Sequence, residues 1–218
     1  MPKSKAKRKK KAGAAQKSEI AWGGKASPGA KRLNVVLGAL VLGLAVAGGT
    51  YWYLGARSEQ AFQAIADDGR GRLAERVVTN PNRGRGHGQH GATYAYDSSF
   101  PTSGRHDPVP TAPGVYRVPQ RPGQLVHALE HGNIVVYYDQ PAAETLATLK
   151  DWAALYTGTW DGLVLSPMDG LGETLVLNAW TKTLRLETFD AGLAAAFIDR
   201  YRGRGPEHPV RVDLEDEG

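Results

Sequence analysis

The chain has no cysteine and only two methionines. The first absence excludes disulfides, thiolate nucleophiles, Cys-ligated zinc, iron–sulfur clusters and a lipid-modified cysteine anchor. With Met1 and Met168 as the only thioethers, the soft donors that copper(I) trafficking needs are missing as well. Acidic residues are almost absent from one end. Residues 1–32 hold 11 of the 27 Lys+Arg but one of the 22 Asp+Glu, whereas from residue 58 onward 15 basic side chains face 21 acidic ones. The formal net charge of +5 therefore describes an N-terminal arm. The body is acidic, which removes the basic folded face that nucleic-acid binding requires, so no nucleic-acid partner is expected.

The arm, residues 1–32, is rich in like charge and poor in apolar side chains, and it is expected to be disordered. Behind it, 24 residues between Arg32 and Arg57 carry no charge. Residues 33–54 read as a transmembrane helix: at ~1.5 Å per residue they reach ~33 Å, enough for a ~30 Å hydrocarbon layer. Tyr51, Trp52 and Tyr53 close the span with rings suited to the headgroup zone. The basic excess before it predicts a single-pass protein of the cytoplasmic (inner) membrane. On that reading the N-terminus is cytoplasmic, the C-terminal domain is periplasmic or extracellular, and lipid is the partner of residues 33–54. Ala45-Val46-Ala47 offers a rival reading, a cleaved signal peptide. The long N-terminal region and the aromatic belt beyond that site argue against it.

Residues 55–76 read as a juxtamembrane helix or linker, in which Ser58 and Glu59 cap a helix that ends near Asp67-Asp68-Gly69. Residues 77–210 form the extracytoplasmic domain, and 211–218 an acidic tail. Within the domain, about Val77 to Gly123 is dense in Gly, Pro, Ser and Asn and reads as a long ordered loop region. Regular patterns follow. Gln124 to His131 is a short helix stopped by Gly132. Ile134–Tyr138 is an apolar strand, and Ala142–Tyr156 a helix with Leu146, Leu149, Trp152 and Ala153 at helical spacing. Leu163–Leu165, Thr174–Trp180 and Thr183–Glu187 are strands, and Asp190 caps a last helix, Leu193–Tyr201. The class is α+β: one small mixed sheet in β-α-β-β-β-α order, with a connectivity like that of the C-terminal half of thioredoxin-like folds.

Five of the six histidines, His87, His90, His106, His127 and His131, fall within 45 residues. On a helix turning ~100° per residue, His127, Glu130 and His131 share an arc of about 100°, with Leu125, Val126 and Leu129 opposite. Two imidazoles at i, i+4 clamp one zinc or copper ion, and His106 and His90 are the expected third and fourth ligands. Glu130 is then an orienting group or a general base, the one catalytic candidate. The same side chains can instead form a structural His–Glu patch on a non-catalytic accessory module whose loops bind a membrane-protein partner. His-x-x-Glu-His is also the inverted zincin pattern, for which Glu187 or Glu207 would be a further ligand. Gly132 stops the helix at the motif, however, so a metal-dependent hydrolase is the minor reading.

Tyr96, Phe100-Pro101-Thr102-Ser103-Gly104-Arg105-His106 and Gly114-Val115-Tyr116 precede a second long motif, Leu125-Val126-His127-Ala128-Leu129-Glu130-His131-Gly132, and Ile134–Tyr138. Together with Ala179-Trp180, Leu186–Asp190, Phe197-Ile198 and Tyr201-Arg202, these stretches resemble the bacterial domain-of-unknown-function family 3105 over about residues 85–205. Phe100 and Arg105 stand where that family usually has proline, which leaves His106 in place and bears on the stiffness of its loop. The resemblance implies a bacterial, often membrane-anchored, extracytoplasmic domain, and it implies no established activity.

Overall fold

A computed structural model describes residues 28–211. The basic arm up to residue 27 and the acidic tail from residue 212 lie outside the described residues. The chain divides into two compact units, one up to Thr50 and one from Tyr51. Helix α1 (Pro28–Leu73) carries residues of both. In the first unit the described large side chains Val36, Leu37, Leu40, Val41, Leu42, Leu44 and Val46 are all exposed. They occur on every side of the helix, and none of its most apolar stretch is buried in protein. It is the one helix among the described residues long and apolar enough to cross a membrane.

The expected break between anchor and juxtamembrane helix does not occur. No proline lies between Pro28 and Pro81, and Ser58 does not cap a new helix: its hydroxyl donates to the Leu54 carbonyl four residues back, at 3.0 Å. Such a bond is made inside a continuous helix. The helix runs on past Gly69 to Leu73.

The domain is built on a six-stranded mixed sheet ordered β1 (Val77–Thr79), β8 (Lys182–Leu186), β7 (Leu175–Ala179), β5 (Ile134–Tyr138), β6 (Leu163–Pro167), β4 (Gly114–Val115). Strands β5 and β6 are parallel and joined by α3 (Ala143–Leu155), while β7 runs antiparallel to both β5 and β8. Strand β5 is central and wholly buried, as its unbroken apolar run requires. Its side chains alternate between two cores. Ile134, Val136 and Tyr138 face Phe62, Leu149, Trp152, Phe197 and Ile198 from α1, α3 and α4 (Ala191–Tyr201). Val135 and Tyr137 face Leu125, Ala128 and Leu129 of α2 (Pro122–Glu130). Asp190 caps α4 as expected, its carboxylate accepting from the Leu193 amide at 2.9 Å.

The loop region of residues 77–123 is ordered by short pairings. Besides β1 and β4 it contains β2 (Arg85–His87) and β3 (Gly104–His106), which form a separate two-stranded parallel ribbon. Helix α2 packs over one face of the large sheet beside this ribbon, and that placement sets up the site.

Phe62 joins α1 to the main core by edge-on ring contacts with Trp152 (5.3 Å) and Tyr156 (4.9 Å). Phe62→Ala is expected to lower the unfolding free energy by about 3–4 kcal/mol, the usual cost of removing a buried ring. Urea unfolding of the full chain in detergent measures it.

Candidate metal centre

Three backbone elements converge on one group of imidazoles. Helix α2 supplies His127 and Glu130, and His131 is its C-cap. Strand β3 supplies His106, and the parallel register of the ribbon sets His87 directly opposite it. The ring centroids of His87, His106 and His127 lie 4.7–5.0 Å from one another, with His131 4.6 Å beyond His127. The fourth contributor is the segment after α4. The chain has φ +98° at Gly132, and a side chain there or at Gly205 would strike the other segment's backbone. This close approach, with the Gly203 amide donating to Gly132 O at 2.8 Å, seats the strap that carries Glu207. Glu207 Oε2 lies 3.0 Å from His131 Nε2.

Hydrogen bonds fix which nitrogen of two buried rings faces inward. His106 donates from Nδ1 to Gly104 O at 2.8 Å. His127 donates from Nδ1 to Asp107 O at 2.7 Å. A carbonyl only accepts, so both Nδ1 atoms carry hydrogen and it is the Nε2 atoms that face the cluster, with a lone pair wherever the ring is neutral. His106 Nε2 is fully buried and has no hydrogen-bond partner, although Glu130 Oε2 stands 2.9 Å away. With the ring neutral, that contact sets two lone-pair acceptors against each other, which is unfavourable without a cation or proton between them. His131 Nδ1 is likewise buried without a partner. Its ring stacks on Trp160 at 4.0 Å.

Two of the rings, His127 and His131, disfavour the protonated form. Burial, reinforced by the neighbouring rings of His131, His106 and His87, lowers the His127 pKa from 6.5 to about 4 against the opposing bond to Asp107 O. Burial lowers that of His131 too, opposed by Glu207 and Glu130. Neutral imidazole is the ligand form.

Two groups have the reach to hold an ion: His87, His106, His127 and Glu130, and beside them His127, His131 and Glu207. Of the expected ligands, His106 and His127 come together with Glu130, while His131 falls in the second group, with His127 and Glu207, and not in the first. His90 does not join them. Its ring is turned to Asp107, with Nδ1 donating to Oδ1 at 2.8 Å. Burial pushes the Asp107 carboxyl up, but the amides of Gly91 and Val109 and the His90 ring outweigh it and hold the pKa at about 2. His90 thus braces the residue whose carbonyl orients His127. His87 takes the place assigned to His90, a residue the sequence had flagged only as one of five clustered histidines. Of the two glutamates nominated downstream, Glu207 arrives and Glu187 pairs instead with Arg185 and Thr174.

With this geometry, the model for the family described as Protein of unknown function (DUF3105) matches residues 87–213. The chain belongs to this family. The matched segment runs from His87 past Glu207 and so contains every member of the cluster. Comparison with curated proteins and with solved structures gives no match.

Folding depresses the His127 pKa, so between pH 6.5 and about 4 the unfolded chain binds more protons than the folded one. This contribution is complete above about pH 6.5 and is lost as the pH falls toward 4, a change of about 3 kcal/mol at ~1.4 kcal/mol per pKa unit. Urea midpoints of the metal-stripped chain are expected to fall across that window. His127→Asn is expected to flatten the fall by about one proton.

Proposed function

We propose that this family member is a membrane-anchored transition-metal-binding domain, with zinc or copper(II) held by His87, His106, His127 and Glu130. One observation carries the reading: the buried, unpartnered His106 Nε2 beside the Glu130 carboxylate, in a ring whose other nitrogen is already committed to a backbone carbonyl. Imidazole and carboxylate donors without thiolate suit zinc or copper(II). Anchoring of the His106 and His127 imidazoles through their far N–H is the usual support for a ligating histidine. Because Glu130 Oε2 lies among the ring nitrogens, coordination is assigned to it rather than proton abstraction. The β5–α3–β6–β7–β8–α4 unit is read as thioredoxin-like in connectivity alone, a reading supported by its β6-β5-β7-β8 strand order.

The untagged full chain in detergent, stripped with chelator, is expected to bind one zinc or copper(II) ion tightly. His106→Ala and His127→Ala are each expected to weaken binding by about 100-fold or more, and Glu130→Gln by about 10–100-fold. Tight stoichiometric binding that survives His106→Ala plus His127→Ala overturns the site.

The basic residues before an apolar helix support a cytoplasmic arm and an external domain. Because the chain has no cysteine, single reporters give an unambiguous test. In intact cells an impermeant maleimide is expected to label Ser98→Cys and to leave Ser4→Cys unlabelled. The opposite pattern reverses the orientation.

A further inference from the structure

The two candidate ligand groups share one side chain, His127. That sharing has a chemical consequence. His127 Nδ1 is occupied by its bond to Asp107 O, so Nε2 offers the only lone pair. One ring nitrogen binds one ion, so the groups cannot both be filled through His127. They are alternative positions for a single ion.

The positions differ in the ligand that meets solvent, an imidazole in one and a carboxylate in the other, and in number of ligands. In the inner group the His106 and Glu130 side chains are 0% and 6% exposed, and the His87 imidazole, 48% exposed, is the ligand that meets solvent. In the outer group, Glu207 is 39% exposed and sits on the strap over the end of α2, with its Oε2 4.0 Å from His127 Nε2 and 3.0 Å from His131 Nε2. The strap is held in place. The Glu207 amide donates to Glu130 O at 3.3 Å, and the Arg211 guanidinium donates to Asp199 at 2.8 Å. Stacking on Trp160 likewise fixes the His131 ring. Each group contains one carboxylate, so moving a divalent cation between them leaves the ligand charge unchanged. The inner group has one imidazole more and is the deeper well.

Resting on the metal-binding reading above, we infer that His131 and Glu207 form an outer station through which the ion is loaded and released, passing to the inner group by exchanging ligands about His127 Nε2. In this step the bonds to Glu207 and His131 break while bonds to His106, Glu130 and His87 form. No electron or proton is transferred. The ligand class is a divalent transition-metal cation taken from solution or from a small carboxylate or amine chelate.

A station on the path lowers the barrier in both directions and leaves the equilibrium between free and bound ion untouched. The test is stopped-flow uptake of Zn²⁺ by the metal-stripped full chain in detergent, and its release to excess EDTA, for wild type, Glu207→Gln and His131→Gln. One ion per wild-type chain is expected. In both variants uptake and release should slow by a similar factor, about tenfold or more, with Kd within about threefold of wild type. Should buried His131→Gln fail to fold, Glu207→Gln alone decides, since its carboxylate is partly exposed. Two ions per wild-type chain would overturn the sharing of His127. Unaltered rates in Glu207→Gln would mean that the ion passes His87 instead, and would overturn the station. A Kd weakened with uptake unchanged would put Glu207 in the resting site, overturning it too. No binding by wild type at all is a different result: it overturns the metal-binding reading itself.

Discussion

Two backbone carbonyls, Gly104 O and Asp107 O, determine what the histidine cluster can do. Each accepts the Nδ1 hydrogen of a buried imidazole, and in doing so turns the opposite nitrogen toward the same small volume. Without those two bonds the rings could rotate to satisfy each other or Glu130, and the cluster would be an ordinary buried polar network. With them, the lone pairs of His106 and His127 and a carboxylate oxygen are held together at a cost in desolvation and repulsion that the surrounding fold must bear. A cation or a proton between them relieves that cost.

The fold bears it through rigidity on three sides. Helix α2 is buried along Leu125, Ala128 and Leu129 against β5, β6 and β7, so its polar stripe cannot turn away. The β2–β3 ribbon holds its register by backbone bonds, among them the Gly104 amide to Gly84 O and the Gly88 amide to His106 O, both at 2.7 Å. The loop after β3 is held by the ionised Asp107 carboxylate, on which His90 and two amides converge. His90 therefore contributes at one remove, through the residue whose carbonyl orients His127.

Much of the scaffold was legible because its signals are local. The run Ile134–Tyr138, the i, i+3, i+4 pattern of α3 and the Asp190 cap each depend on a few neighbouring residues, and the elements stand where those residues put them. The continuity of α1 was misread for the same reason. Ser58 is a good cap in isolation, but a hydroxyl that finds a carbonyl four residues back has no need to end one helix and begin another.

For the site, the division runs along the same line. The amino-acid sequence by itself determined that His127, Glu130 and His131 share one side of a short helix, since that follows from the helical repeat. It also determined that no thiolate could join them. Only the tertiary structure decided that His87, and not His90, stands opposite His106, and that Glu207 and not Glu187 joins His127 and His131. Those choices depend on the register of a parallel ribbon across the chain from Arg85 to His106, and on the docking of a strap at Gly132 and Gly205. Both are pairings between distant segments, which residue spacing along the chain does not encode.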